Sequence, residues 1–366
     1  MAFATSTYLG IDLGTTALKG IITDHKQGVV GLAEVSLATS RPRPGWSEQT
    51  PQDWWLALQK ACKMLRARNR KDWSRIAAIG LSGQMHGAVI LDAAGKVLRP
   101  AILWNDGRAG AEAAAFNGKF SDIGQVAGGP AVAGFTAPKL LWLQAHEPRI
   151  FNQLAMVLAP KDYLRFRMSG DFITDPCDAT GMSLLDVGQR KWSPALVAAA
   201  GIRLENLPRI DEGPQASAHL HKSAAEFLGL PLGLPIAAGA GDAAASAIGI
   251  GAINDGDGFI SLGTSAQYFV TTNSYRPRPQ QMIQALGHGL PDLWYQVAAL
   301  LNGASPLSWM NGILPAGNIQ KLLQRTQRRY RGPGRLLFLP YLNGERTPHN
   351  DPAARAAFHG LHAGTT

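Results

Sequence analysis

A single acidic residue, Asp242, lies in a run of small residues, GAGDAAASAIGIG, at positions 239–251. Glycine and alanine offer few groups that neutralise a carboxylate, so in a cleft Asp242 is suited to accept a proton from a substrate hydroxyl. Phosphoryl-transfer enzymes commonly use one aspartate in this way. The alternative is an aspartate that caps the following alanine-rich helix, and the two roles are compatible. The glycines lack the GxGxxG spacing of a dinucleotide site.

A second chemical motif, YLGIDLGTT at positions 8–16, predicts a strand that ends in a tight turn. A glycine there lets backbone N–H groups approach an anion, and the threonine hydroxyls add donors. Asp12, at the end of the strand, is suited to hold water around Mg²⁺. An ordinary hairpin with an Asx turn is the alternative. The candidate phosphate-binding residues are Gly14, Thr15, Thr16 and Lys19, although Lys19 is equally suited to face solvent.

A similar turn occurs late in the chain, where SLGTS spans positions 261–265. The letters LGTTA at 13–17 and LGTSA at 262–266 correspond, and both lie between strand-like runs. Two such turns, one from each of two domains, would grip the phosphates of a nucleotide from opposite sides of a cleft. The residues predicted to do so in the second turn are Gly263, Thr264 and Ser265.

Candidate sugar-binding residues follow two predicted strands. SGQMHG at 82–87 places a histidine beside a methionine at a strand end, where polar groups facing a cleft would bind the hydroxyls of a polyol. LWNDGR at 103–108 supplies an indole for an apolar sugar face and two groups for vicinal hydroxyls. A core histidine and a surface turn are the alternatives. The residues concerned are Met85, His86, Trp104, Asn105 and Asp106.

The elements that must position these residues begin with three strand-like runs at 8–11, 18–23 and 29–37. A helix is predicted from Thr50, which is suited to cap it, and a strand follows at 76–82. This order differs from the strand, glycine loop and helix that open a Rossmann or P-loop fold. It is the order of the ribonuclease-H-like ATPase fold of actin and hexokinase. We therefore predict an α/β protein with two duplicated domains around a cleft.

The composition of the chain limits the kinds of partner that we expect it to bind. The 366 residues carry a formal net charge of +9, which favours an anionic ligand such as a nucleotide. The basic run at 325–335 is predicted to be a solvated helix end, and without a zinc-finger or RRM pattern we expect no nucleic-acid partner. Prolines and Asp242 interrupt the most apolar segment, so we expect no membrane span. Two isolated cysteines and an N-terminus without signal-peptide features predict a cytoplasmic location.

Together these motifs resemble the xylulokinases of the FGGY carbohydrate kinase family, which have the actin-like duplicated fold. Further stretches that carry the resemblance are GWSEQTPQDWW (45–55), GFTAPKLLWLQAHEP (134–148), PKDYLRFRMSGDF (160–172) and YLNGERTPHNDPAAR (341–355). The resemblance implies transfer of the γ-phosphate of ATP, as its Mg²⁺ complex, to the 5-hydroxyl of D-xylulose. It further implies Met85 and His86 as substrate-binding residues, Asp242 as catalytic base and Asp12 on the metal side.

Three departures from the family pattern qualify these expectations. Ala243 and Ala266 stand where relatives tend to carry asparagine and glycine. The chain stops at Thr366, where family members continue with a segment that holds adenosine. We therefore expect an N-terminal sugar-binding domain at 1–245 and a nucleotide-binding domain at 246–366 that is incomplete before the adenosine motif. A kinase for ribulose or glycerol, or a short sugar-binding form without efficient ATP turnover, remains as an alternative, and a homodimer is left open.

Overall fold

A computed structural model describes residues 5–120, 122–314, 317–332, 334–351 and 353–364, so the outer limits of the predicted domains lie outside it. The strands are β1 (Thr7–Leu13), β2 (Ala17–Asp24), β3 (Val29–Ser36), β4 (Glu48–Gln49), β5 (Ile76–Gly83), β6 (Val89–Leu91), β7 (Ala101–Ile102), β8 (Met156–Leu158), β9 (Ile173–Thr174), β10 (Leu185–Asp186), β11 (Lys191–Trp192), β12 (Arg209–Ile210), β13 (Ala216–His219), β14 (Pro235–Ala237), β15 (Ala240–Gly241), β16 (Gly258–Leu262), β17 (Ala266–Thr272), β18 (Ile283–Gly287), β19 (Trp294–Leu300), β20 (Leu337–Leu339) and β21 (Ala357–His359).

The helices are α1 (Pro51–Arg68), α2 (Arg70–Trp73), α3 (Gly110–Gly118), α4 (Ile123–Val126), α5 (Thr136–His146), α6 (Pro148–Phe151), α7 (Pro160–Ser169), α8 (Pro176–Thr180), α9 (Pro194–Ala199), α10 (Lys222–Leu228), α11 (Asp242–Gly249), α12 (Ser305–Ile313) and α13 (Ile319–Arg329). In the described ranges, 3₁₀ turns include Leu204–Asn206 and Pro279–Gln281. None of the helices in the described ranges combines the length and apolarity needed to cross a bilayer.

The N-terminal sheet has the order β13-β14-β5-β1-β2-β3, and β15 pairs with β5 beyond the end of β14. Strands β1 to β3 form the predicted antiparallel meander, whereas β5 runs parallel to β1, β14 and β15, and β13 is antiparallel to β14. Alternate residues of β1 are buried, because successive side chains of a strand point to opposite faces. Because these strands are paired in the sheet, the ends of β1, β5 and β15 lie side by side. Candidate site residues from three segments of the sequence meet at this edge.

Helix α1 packs on this sheet through the predicted apolar face, which includes Trp54, Leu58 and Leu65. Pro51 occupies the first turn, where a missing N–H costs nothing. Thr50 has the extended conformation of a residue that precedes a helix, but its side chain makes no capping hydrogen bond. The prediction that Thr50 caps α1 was therefore wrong, and the burial of the apolar face is what supports the helix.

A second, antiparallel sheet has the order β16-β17-β19-β18. Its buried face packs against the α11 region through Phe269, Tyr295 and Val297, which join Met85 and Cys177 in one apolar cluster. Elsewhere in the C-terminal half, more of the large apolar side chains are exposed to solvent. Ile260 is 64% exposed and Leu262 is 67% exposed. The described residues of α13 include none that is buried.

Candidate active site

Asp242 is the first residue of α11, directly after β15. Its carboxylate accepts a hydrogen bond from the N–H of Ala243 at 2.9 Å and lines two cavities, of about 600 Å³ and about 250 Å³. The side chain is exposed to the solvent of the cleft, although many protein atoms lie around its carboxylate. Burial, followed by the nearby carboxylate of Asp12, raises the pKa of Asp242 to about 6. The carboxyl group is therefore ionised at neutral pH and more basic than an ordinary aspartate.

The larger cavity lies at the edge of the N-terminal sheet. Asp12 is the last but one residue of β1, opposite Lys19 on β2, and both line this cavity with Asp242. The hydroxyl of Ser82, on β5, donates to Asp12 Oδ1 at 3.2 Å. Carboxylate and hydroxyl oxygens are ligands that Mg²⁺ accepts, so this wall fits the predicted metal.

The first predicted phosphate turn is closed by a hydrogen bond from Gly14 N to the carbonyl of Ala17 at 3.0 Å. The Thr15 hydroxyl donates to Gln84 Oε1 at 3.0 Å and accepts from Trp104 Nε1 at 2.9 Å. Thr16 is exposed to solvent. The Thr15 hydroxyl thus ties the turn to the smaller cavity, while the exposed turn residue that offers a hydroxyl to an incoming anion is Thr16.

The second predicted turn, at residues 263–265, joins β16 to β17 and is exposed. Leu262 pairs with Ala266, whereas Leu13 pairs with Leu18, so this turn is one residue shorter despite the shared letters. The N–H of Ala304, just before α12, donates to the carbonyl of Gly263 at 2.7 Å. In the described part of the chain, the cavities at Asp242 include neither turn.

The smaller cavity combines residues from both sheets. Met85, His86 and Trp104 come from the N-terminal half, and the structure brings them together as predicted. Strands of the second sheet supply polar groups that sequence reasoning missed. Their spacing in the sequence gives no sign that they would face a common cavity. The full lining is Gln84, Met85, His86, Trp104, Asp242, Ala243, Ser246, Phe259, Ser261, Gln267, Gln284, Leu286, Tyr295 and Val297.

His86 is held in an uncommon conformation, with a φ of 68°. Its Nδ1 lies 2.9 Å from the carbonyl oxygen of Gly181, and its ring stacks on Phe135 with centroids 4.3 Å apart. Since a carbonyl only accepts, Nδ1 carries the hydrogen and Nε2 keeps a lone pair. Burial lowers the pKa of His86 to about 4, so the ring is neutral near pH 7. A neutral imidazole at this wall is suited to accept a hydrogen bond from a hydroxyl.

Met85 is buried, and its sulfur lies 3.8 Å from the hydroxyl of Tyr295. The same hydroxyl lies 3.8 Å from Cys177 Sγ. A Cβ on Gly241 would come within 2.5 Å of Met85 Sδ, so the residue before Asp242 must be glycine for this packing. Met85 therefore supports the segment that carries Asp242 as well as the cavity wall.

The LWNDGR loop is only partly in the site. Trp104 is 49% exposed and lines the smaller cavity, while the exposed Asn105 lines neither cavity at Asp242. Asp106 is buried and accepts hydrogen bonds from Ser47 N at 2.6 Å and from Arg108 Nη2 at 2.7 Å. The structure does not bring the Asn105 and Asp106 pair to the sugar-sized cavity. The Asp106 carboxylate instead holds the loop together.

The sheets and this cleft agree with comparisons to known proteins. The N-terminal domain model of the FGGY family of carbohydrate kinases matches residues 7–249, and its C-terminal domain model matches residues 258–366. The chain belongs to the FGGY family of carbohydrate kinases, which use ATP as a substrate. The fold and family predicted from the sequence are thereby confirmed.

Individual relatives show which members of the family the chain resembles. The chain is 41% identical to the xylulose kinase of Escherichia coli (strain K12) over 354 residues, which cover 97% of this chain and 72% of that protein. It is 33% identical to the xylulose kinase of Lactococcus lactis, over 97% of this chain and 71% of that protein. A crystal structure described as a xyloylose kinase from Brucella ovis superposes with a TM-score of 0.94 at 43% identity, over 98% of this chain and 74% of that one.

Proposed function

We propose that this chain transfers the γ-phosphoryl group of ATP to the 5-hydroxyl of D-xylulose, with Asp242 as the catalytic base. The observation that carries the proposal is the place of Asp242 in the wall shared by the two cavities, with its pKa raised to about 6. The similarity to xylulose kinases over nearly the whole chain supports the choice of sugar.

In the proposed reaction, the Asp242 carboxylate accepts the proton of the sugar hydroxyl as the hydroxyl oxygen attacks the γ-phosphorus. A new O–P bond forms, and the bond from the γ-phosphorus to the bridging oxygen breaks. The electron pair of that bond leaves with ADP, and Asp242 later returns its proton to water. A base whose pKa is near neutrality is ionised at working pH and still a good proton acceptor, which is the condition for effective general base catalysis.

The donor side of the site is assigned to the turns and to the edge of the first sheet. Backbone N–H groups and hydroxyls of the two turns would bind phosphate oxygens, and Lys19 would add a positive charge. Asp12 would hold Mg²⁺, whose charge offsets that of the phosphates when it is bound. The residues assigned to the phosphates are Gly14, Thr15, Thr16, Lys19, Gly263, Thr264 and Ser265.

The acceptor side is assigned to the smaller cavity. Neutral His86 would accept a hydrogen bond through Nε2, and the indole of Trp104 would cover an apolar face of the sugar. The amides of Gln267 and Gln284 line the same cavity and offer donors and acceptors for hydroxyls, whereas the Gln84 amide is bonded to Thr15 and Gln49. We do not assign Asp106 to the sugar, because Ser47 and Arg108 already occupy its carboxylate.

Replacing the proposed base tests the mechanism. Asp242→Asn keeps the size of the side chain but removes the proton acceptor, so we expect kcat to fall by about 10²–10⁴-fold. Sugar affinity, measured by calorimetry, should change little. In the parent protein, kcat/KM should decline as the pH falls through about 6, because protonation removes the base. Turnover by Asp242→Asn near the parent rate would rule out the assignment.

The sugar itself is tested by ADP release with D-xylulose, D-ribulose, L-ribulose, glycerol and gluconate. Gluconate is included because a gluconate kinase from Lactobacillus acidophilus superposes with a TM-score of 0.89 at 27% identity. We expect the highest kcat/KM with D-xylulose. A preference for another acceptor would leave the kinase assignment intact and replace only the sugar.

A further inference from the structure

A fully buried ion cluster lies beneath the active-site segments. Lys161 is its centre: Nζ lies 2.6 Å from Asp162 Oδ1, 2.7 Å from Asp175 Oδ2 and 3.1 Å from Asp178 Oδ2. Arg165 is the second cation. We call these five residues the Lys161 cluster, and all five have an exposure of 0%.

Two helices create this arrangement. Lys161 and Arg165 are four residues apart on α7, so they lie on the same face of the helix. Asp175 caps α8 by accepting from the N–H groups of Cys177 and Asp178. The three carboxylates would suit a metal ion, but the Lys161 ammonium already lies among them and supplies the positive charge. The cluster is therefore an internal ion pair network.

The charges of the cluster nearly balance. Three carboxylates face two cations, and burial raises the pKa of both Asp175 and Asp178, which favours retention of one proton. Burial alone would lower the pKa of Lys161, but the carboxylates hold it above its ordinary value. Burying charged groups costs free energy unless the charges are paired, and replacing a buried ion pair by apolar residues often leaves stability unchanged. The role of the Lys161 cluster is therefore to be sought in its contacts with other segments.

Both cations contact the segment that leads to Asp242. Lys161 Nζ donates to the carbonyl oxygen of Ala238 at 3.3 Å, and Arg165 Nη2 donates to the same oxygen. Ala238 lies between β14 and β15, and β15 ends at Gly241, directly before Asp242. The two cations thus fix the backbone four residues before the proposed base.

The same cluster contacts the sugar-binding side. Asp175 and Asp178 belong to the α8 turn, and the carbonyl of Gly181 just after that helix accepts from His86 Nδ1. A Cβ on Gly83 would lie 3.3 Å from Lys161 Cβ, so the strand end that precedes His86 packs closely on the cluster. Asp242 and His86 are consequently linked through one rigid group of charges.

We propose that Lys161, held by the three aspartates, and Arg165, held by Ser217 and by its bond to Ala238, are positioning residues that set Asp242 relative to His86 and the bound sugar. They do not touch the substrate cavity, and they act through the Ala238 carbonyl and the α8 turn. This inference rests on the proposed function, because its main readout is sugar phosphorylation.

Arg165→Met and Arg165→Lys test the proposal in the full chain. The methionine keeps a long apolar stem but loses the charge and the bond to Ala238, so we expect kcat to fall by about ten- to a hundredfold. The KM for the sugar should stay within about twofold. The lysine keeps the charge but loses the planar guanidinium, so its kcat should fall by only about two- to fivefold.

A variant that loses stability in another part of the core is the control. Leu196→Ala opens a cavity in a core cluster on α9 that includes none of the five charged residues. It should lower Tm while kcat and KM stay near the parent values. An Arg165→Met protein with the parent kcat would overturn the proposal, as would the same fall in kcat in Leu196→Ala.

If Arg165→Met does not fold, Arg165→Lys decides alone. A reproducible fall in kcat with unchanged KM supports positioning, and a parent kcat contradicts it. If the parent protein phosphorylates no sugar, the proposed function fails. If the parent is active and the Arg165 variants behave like it, only this inference fails.

Discussion

At the scale of single residues, Asp242 is controlled by its surroundings more than by its immediate contacts. The backbone N–H groups of Ala243 and of Asp242 itself stabilise its charged form, while burial and the Asp12 carboxylate oppose it. Burial and the Asp12 carboxylate prevail, so the pKa of Asp242 rises from 3.8 to about 6. His86 is shifted in the opposite direction and is neutral near pH 7. The site therefore presents one base and one neutral acceptor at the same pH.

A pKa raised by folding costs stability wherever the group is ionised. For Asp242 that cost appears as the pH rises from 3.8 to about 6 and persists above it. Asp242→Asn should therefore raise Tm at pH 8, and the gain should vanish below pH ~4, where the parent carboxyl is protonated in both states. Differential scanning calorimetry across this range measures the effect. A lower Tm for the variant at pH 8 would contradict the assigned environment.

Asp257→Asn is a control of opposite sign. Hydrogen bonds from the backbone of Asn254, its side chain and the backbone of Ile253 lower the pKa of Asp257. Its carboxylate therefore adds stability above the ordinary pKa of aspartate, and that stability is lost as the pH falls through the lowered value. Asp257→Asn should lower Tm at pH 8.

At the scale of elements, the segment that leads into the junction of β15 and α11 requires backbone that most residues cannot adopt. Gly239 has a φ of +83°, and a Cβ there would clash with the carbonyl oxygen of Leu81 on β5. Gly241 leaves room for Met85. These glycines allow β15 to pair with the end of β5 and bring Asp242 to the edge of the sheet, beside Asp12.

Gly239→Ala should therefore lower the free energy of unfolding by ~1–3 kcal/mol, since it adds strain and a clash. It should also lower kcat, because the junction carries the proposed base. Gly249→Ala is the matched control: it lies at the end of α11, and a Cβ there meets nothing within 4 Å. Alanine is the better helix former, so the control should be neutral or slightly stabilising. Equal Tm values for the two variants would contradict the argument.

At the scale of the whole molecule, the two sheets differ in how well they are covered. The first is packed by α1, α7 and α10 in a large core cluster. In the second, β16 has large apolar side chains exposed, and the described residues of α13 show no burial. The chain spans about 72% of the length of its Escherichia coli relative, so activity assays should report ATP affinity as well as turnover.

Hydrogen exchange measures this difference directly. Opening free energy follows buried apolar contact, so amides of α13 should exchange much faster than those of α1, which has eight buried residues. We expect α1 peptides to stay protected for hours, while α13 peptides exchange within the first minutes. Mass spectrometry of peptides from the intact protein gives both rates in one experiment. Comparable protection of the two helices would contradict the prediction.

The sequence by itself determined the meander of β1 to β3, the apolar face of α1, the family and most single candidates of the site. These depend on local spacing, on turn residues and on motifs that lie within a few positions of one another. Asp12, Met85, His86 and Asp242 were found because each follows a predicted strand or lies among small residues. The structure then brought these four to the edge of one sheet or to the cavities beside it.

Only the tertiary structure decided which polar groups meet. Asp106 was predicted to bind a sugar, but its carboxylate is occupied by Arg108 of its own loop and by Ser47, which lies 59 residues away in the chain. Gln267 and Gln284 line the smaller cavity from the second sheet, and the Lys161 cluster combines residues from the regions of two helices. Hydrogen bonds and ion pairs depend on distances of about 3 Å between residues far apart in the chain, and spacing along the sequence does not specify such distances.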